Sequence, residues 1–223
     1  MFLKNLKELG TQIRDSCERH NRSPTEISLI GVSKTKPLED LIQAYEAGLR
    51  QFGENFVEEF TEKESAFHPE DLAYHFIGRL PRKKVRKVVG KANLIHTVSN
   101  IDLANKINLV AKEENAIQAV LIQVNQASES SKSGANSNDV LSMAAEMDTL
   151  SSIRLLGLMS IPPFDEPAKP YFSDLRKLRN DVSKALSLPL PFLSMGMSAD
   201  FDDAISEGAT HIRIGTAIFG KRN

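Results

Sequence analysis

Short apolar runs alternate with amphipathic stretches along most of this chain. The runs are ISLIGVS (27–33), RQFGE (50–54), AYHFIG (73–78), NLIHTV (93–98), QAVLIQVN (118–125), IRLLGLMSI (153–161), FLSMGM (192–197) and HIRIGTAIFG (211–220). Their length, their Val, Ile and Phe content and their polar or turn-forming borders predict strands. The stretches between them follow the other period. Leu38, Leu41, Ile42 and Tyr45 share one helical face that ends at Gly48, and Ile101, Ala104, Ile107 and Ala111 share another. DVLSMAAEMDTL, AKPYFSDLRKLRNDVSKAL and DFDDAISEG behave alike. Ahead of the alternation, Phe2, Leu6, Leu9, Ile13 and Cys17 predict one extra amphipathic helix over residues 2–20.

Strand starts recur with room for one crossover helix each, which predicts a parallel α/β sheet. Eight such units predict a closed (β/α)8 TIM barrel rather than an open doubly wound sheet, although 223 residues is slightly short for that fold. No shift in composition marks a boundary, so one domain is expected over 1–223. The Ser-rich stretch 127–139 reads as a loop.

Charge and cysteine content narrow the setting. A net charge of −1 gives no global field for nucleic acid or an anionic membrane. The single cysteine, Cys17, allows no intramolecular disulfide and suits a reducing, cytoplasmic compartment. The charged N-terminus lacks the apolar core of a signal peptide, and no run approaches the ~20 apolar residues that span a bilayer.

In a barrel, functional side chains gather at the C-terminal ends of strands. Those ends carry Ser33 and Lys34, then Glu54 and Asn55, His75, Asn125, Ser194 and Ser198, and Arg213 with Gly215 and Thr216. Ser198, Gly215 and Thr216 follow the last two strands, where this fold usually holds a phosphate. They read equally as plain turn residues. Lys34 at the mouth is a candidate to form a Schiff base with an aldehyde. Lys34 and Lys36 could also both be rim residues whose stems pack while their heads reach water. A strand-end lysine, an in-strand arginine and a phosphate cradle together suit a phosphorylated aldehyde, of which pyridoxal 5′-phosphate (PLP) is the obvious one.

The motifs GVSKTKP, RQFGEN, HFIG, IHTV, SKSG, GLMSIP and SMGMSADFDDAISEGATHIRIGTAIFG occur in order over residues 24–222. With them the chain resembles the YggS/PROSC group of PLP-binding proteins, the PLP homeostasis family. That resemblance implies a barrel like the N-terminal domain of alanine racemase. It also implies PLP held as a Schiff base by Lys34, phosphate contacts from Ser198, Gly215 and Thr216, Arg213 facing the pyridine nitrogen, and Asn55 lining the site. An arginine cannot accept a proton, so it leaves that nitrogen unprotonated and the ring a weaker electron sink. The function implied is intracellular PLP homeostasis by a monomeric carrier, with PLP-dependent apoenzymes as recipients and no robust turnover. The alternative is an amino-acid racemase. A two-base racemase needs a second proton-transferring group opposite the lysine, and none of Tyr45, Tyr74 and Tyr171 falls at a strand end. The chain departs from the family at RLPRKK (79–84), where a Gln-x-Asn stretch is usual.

Other signals weigh less. GTAIFGKR approaches a Walker A motif, but Arg222 stands where Ser or Thr must bind Mg²⁺. The basic run 82–91 puts Val85, Val88 and Val89 at helical spacing and reads as a solvated helix face, not an RNA site, because no aromatic platform accompanies it. His20, His68, His75, His96 and His211 lack metal-ligand spacing, and His75 reads as a satisfied core residue. Lys132 reads equally as a loop charge or an anion contact. Strand alternation would put Lys34 and Lys36 on one side, with Lys36 a like charge that lowers the pKa of Lys34.

Overall fold

The computed structural model describes residues 1–126 and 133–220. Eight parallel strands close into a barrel: β1 (Ser28–Val32), β2 (Gln51–Glu54), β3 (Ala73–Phe76), β4 (Leu94–Val98), β5 (Gln118–Asn125), β7 (Ile153–Met159), β8 (Phe192–Ser194) and β9 (His211–Ile214). Each pairs with the next in that order, and β9 pairs with β1 to close the ring. All eight coincide with the apolar runs. A ninth, two-residue strand, β6 (Ala135–Asn136), hangs on the end of β5 within the stretch read as a loop.

The helices are α1 (Phe2–Arg19), α2 (Leu38–Glu46), α3 (Val57–Ala66), α4 (Ile101–Glu113), α5 (Val140–Asp148), α6 (Ala168–Leu186), α7 (Phe201–Ser206) and α8 (Thr216–Phe219). Helix α3 escaped the periodicity because only Val57, Phe60 and the aliphatic stem of Lys63 face inward. Among the described residues, four of helix follow β9. Helix α1 packs on α8, α7 and α2, and so fills the place a full-length eighth helix would take. Phe2 meets Phe219 edge-on at 5.7 Å, and Asn5 Nδ2 donates to the Ile218 carbonyl at 2.9 Å.

Three expectations are corrected. The last run does not stay extended to 220. Strand β9 stops at Ile214, because Ile218 and Phe219 bury themselves by turning back as α8, whose amides bond to the Gly215 carbonyl. Gly215 and Thr216 therefore start a turn of helix and are not strand residues. Strand β1 stops at Val32, so alternation cannot place Lys36: Lys36 N–H donates to the Ser33 carbonyl at 3.1 Å and closes a tight turn. The basic run coils as a 3-10 helix over Arg82–Lys87, not an α-helix, with Val85, Val88 and Val89 buried beneath it. Lys132 and the end of the Walker-like run, residues 221–223, lie outside the described residues.

Alternation along the strands sorts side chains between two volumes. The outward positions, such as Phe52, Tyr74, Phe76, Ile95, Val120, Leu193 and Ile212, join one large apolar core with the helices. The inward positions form only a small apolar cluster of Leu94, Ala119, Leu121 and Met159. Ile30 also faces inward, but most of its neighbours there are polar: His75, His96, Ser194, His211 and Arg213 are all buried.

Candidate PLP site at the barrel mouth

Lys34 stands at the mouth, in the turn that follows β1, and is half-buried. One small cleft is lined by Val32, Lys34, Lys36, Gly215, Thr216 and Phe219. The β1–β9 pairing that closes the barrel thus brings the lysine and the Gly215–Thr216 corner together from opposite ends of the sequence. Ser198 joins them: its hydroxyl is 3.2 Å from that of Thr216. The loop carrying Ser198 is fixed from both sides. Gly196 accepts from the Arg213 amide at 2.9 Å, and Asp200 accepts from the Met197 amide at 2.5 Å.

Behind this corner lies Arg213. Its side chain donates through Nη1 to Ser194 Oγ at 2.7 Å and through Nη2 to the Ser160 carbonyl at 3.0 Å. Burial pulls it down to about 10, with Asp200 pulling the other way, so it remains protonated at neutral pH. Burial also raises the Asp200 carboxyl, against the pull of its bond to Met197 and the charge of Arg213.

From Arg213 a chain of hydrogen bonds runs down the barrel axis. Ser194 Oγ is 2.8 Å from His96 Nδ1, and His96 Nε2 is 2.9 Å from His75 Nδ1. Arginine can only donate, so Ser194 Oγ accepts from Arg213 and links it to His96, whose other ring nitrogen reaches His75. Burial holds all three interior histidines neutral at pH 7. His75 is lowered to about 3, His211 to about 4 with help from Arg213, and His96 well below the ordinary imidazole value. Sequence spacing missed this cluster, because His75, His96 and His211 come from β3, β4 and β9. Their rings lie 5.2 to 6.1 Å apart, and the described residues contain no grouping able to hold a metal ion.

The site fits a phosphorylated, ring-bearing aldehyde. Two buried polar atoms at the mouth, Asn55 Oδ1 and Ser160 Oγ, have no partner in the protein. Nothing in the protein demands glycine at 215 either: a Cβ there would meet only Val32, at 3.6 Å, and the backbone φ is negative. A small residue leaves room for an anion to approach the backbone. The loop at 79–84 adds Arg79 and Arg82 to a cleft of about 280 Å³ on the far side of the mouth.

Comparison with known proteins agrees with this geometry. The family model for the alanine racemase N-terminal domain matches residues 12–223. The chain is 41% identical to the pyridoxal phosphate homeostasis protein of Aquifex aeolicus, over 98% of this chain and 97% of that protein. This chain belongs to the pyridoxal phosphate homeostasis protein family. PipY of Synechococcus elongatus, 32% identical to this chain, has been solved with and without PLP. The PLP-free structure has a TM-score of 0.89 and covers 99% of this chain and 100% of PipY, and the PLP-bound one has 0.83, covering 93% and 100%. Alanine racemase from Clostridium difficile shares the fold, with a TM-score of 0.77 at 19% identity over 98% of this chain and 57% of that one.

Proposed function

We propose that this chain binds PLP covalently through Lys34 and holds it in reserve within the cell. The observation that carries this reading is the single cleft lined by Lys34, Gly215 and Thr216, with the Ser198 hydroxyl beside Thr216. Ser198, Gly215 and Thr216 take the phosphate. Arg213, already committed to Ser194 and Ser160, presents a fixed cation to the ring nitrogen. Asn55, with its unpartnered oxygen, lines the ring. PLP supplies an electrophilic aldehyde and an electron-withdrawing ring. A protonated arginine donates a hydrogen bond to that nitrogen but leaves it unprotonated, unlike a carboxylate, which would hold the protonated ring, so the site favours holding over carbanion chemistry.

The carrier reading extends to one domain over 1–223, acting as a cytoplasmic monomer that gives PLP to apoenzymes. No described helix is long and apolar enough to cross a membrane. The alternative, an amino-acid racemase, needs a second proton-transferring group, and none of the three tyrosines is aimed at the mouth as one. Tyr74 is turned out of the barrel to the Lys63 and Phe67 carbonyls, Tyr45 bonds to Asp71, and Tyr171 bonds to Glu166 on an exposed loop.

The test is a titration of the purified chain with PLP, followed by visible absorbance, borohydride trapping and peptide mapping. Lys34→Ala should abolish the trapped adduct. An adduct that persists on another lysine would overturn the assignment. An assay for α-proton exchange on alanine separates carrier from racemase, and sustained turnover would sink the carrier reading.

A further inference from the structure

Lys34 sits in a tight turn, and both peptide groups flanking it are tied to α3. On the N-terminal side, the Ser33 carbonyl accepts from Lys36 N–H at 3.1 Å and from Lys63 Nζ at 2.8 Å. On the C-terminal side, Thr35 N–H donates to both carboxylate oxygens of Glu59, at 3.0 and 3.2 Å. The Ser33 hydroxyl donates to Glu54 Oε1 at 2.6 Å, and the same oxygen takes Lys63 Nζ at 2.8 Å. Glu59 and Lys63 are one helical turn apart, with Lys63 Nζ 3.6 Å from Glu59 Oε2. Two positions on α3 therefore grip the turn before and after the lysine.

This turn does not hold itself. Thr35 has φ +63°, in the left-handed region. The third position of a type II turn takes that conformation and is usually glycine, and a β-branched residue is strained there. Glu59 supplies the acceptor that the strained amide would otherwise lack. The Glu54–Lys63 pair is buried, with side chains 0% and 6% exposed. Such a pair costs desolvation and gives little net stability, so a geometric role explains it better than a stabilising one.

We propose that Glu59 and Lys63 are positioning residues for PLP attachment, and that α3 holds the Ser33–Lys36 turn in the conformation that presents Lys34 Nζ to the aldehyde carbon. This rests on Lys34 being the point of attachment. In that step the lysine nitrogen bonds to the aldehyde carbon, and the aldehyde oxygen leaves as water with both amine hydrogens. A fixed approach of the amine is what such a step rewards.

The full chain is mixed with PLP, the growth of the visible band is timed, and the borohydride-trapped residue is mapped. Glu59→Ala should slow attachment by roughly tenfold, the scale of one strained left-handed residue. Glu59→Gln keeps an oxygen that can accept from Thr35 N–H and should restore most of the rate. Thr35→Gly placed in the Glu59→Ala background should restore it too, because glycine takes φ +63° unaided. A general loss of helix packing would not be cured by that glycine. The paired change Glu54→Gln with Lys63→Met, which removes both buried charges together, should also slow attachment. If that pair unfolds in a thermal melt, the half-buried Glu59 series decides alone. Attachment at the parental rate in Glu59→Ala, or a slowing that Thr35→Gly leaves untouched, overturns the proposal. A trapped adduct that survives Lys34→Ala overturns the attachment site beneath it. Loss of the adduct in Lys34→Ala with normal rates in the Glu59 series overturns the positioning role alone.

Discussion

Along β9, Ile212 and Ile214 turn outward into the helical shell, while His211 and Arg213 turn into the barrel. The same split runs through β3, with Tyr74 and Phe76 outside and His75 inside, and through β4, with Ile95 outside and His96 inside. The shell is filled by aliphatic and aromatic groups and holds the fold together by burial. The interior sacrifices apolar packing for a hydrogen-bonded chain that ends on Arg213. Barrel interiors are usually packed with branched aliphatic side chains. The departure sets the two volumes apart: the interior is built for polar contacts leading to the mouth, whereas the shell serves stability.

That division can be broken most forcefully from the shell side. Phe172 of α6 is fully buried in that shell, and Phe172→Ala should cost about 3–5 kcal/mol. Chemical denaturation measures this, and the PLP spectrum of the molecules still folded should be unchanged. An altered spectrum would mean that the two volumes are not separable.

Within the interior, His96→Leu would leave His75 Nδ1 and the Ser194 hydroxyl without their shared partner. The cost should be about 2–3 kcal/mol, one or two unsatisfied buried groups. Here the PLP absorbance should shift, because Ser194 is also the acceptor for Arg213. Lost stability with an unchanged spectrum would show that the chain is structural only. Ser194→Ala removes two hydrogen bonds, those with His96 and Arg213, and should cost about 2–3 kcal/mol while reproducing part of the spectral shift of His96→Leu.

Acidification probes the same volume without mutation. His75 and His211 have folded pKa values near 3 and 4, and His96 is also depressed, against 6.5 when unfolded. As pH falls through 6.5 the unfolded chain gains protons that the folded one refuses, so stability falls. Glu54 acts in the opposite sense. Burial raises it to about 7 from 4.5, so the folded state takes up a proton first and is favoured as pH falls between those values. Three histidines outweigh one carboxyl, and the net loss should be on the order of 2 kcal/mol over the first pH unit below 6.5. A melting temperature that stays flat or rises over that unit would contradict the neutral interior.

The barrel was legible because each strand announces itself with a compact apolar run, and the count of eight survived. Element ends were less legible. Whether β9 continued past Ile214 depended on Ile218 and Phe219 finding α1, a contact with the far end of the sequence. Position and resemblance pointed to candidates at the strand ends, and of these Lys34, Gly215 and Thr216 line one cleft. What stayed hidden was tertiary. His75, His96 and His211 share no spacing and meet only across the barrel. Glu59 and Lys63 sit on a helix too polar to announce itself, and their grip on the Lys34 turn is invisible until α3 docks.

The docking of α1 on α8 also bears on how the chain folds. Asn5 and Ile218 are 213 residues apart, yet they share a hydrogen bond. Helix α1 is made first and must wait for the last strand before it can bury Phe2, so closure of the ring is a late, long-range event. Met1 and Gly220 are also neighbours: a Cβ on Gly220 would lie 3.5 Å from the Met1 side chain. Joining them with a short linker and reopening the chain in an exposed loop such as 68–71 should yield a circular permutant that keeps the barrel, in which α1 follows β9 and supplies the eighth crossover directly.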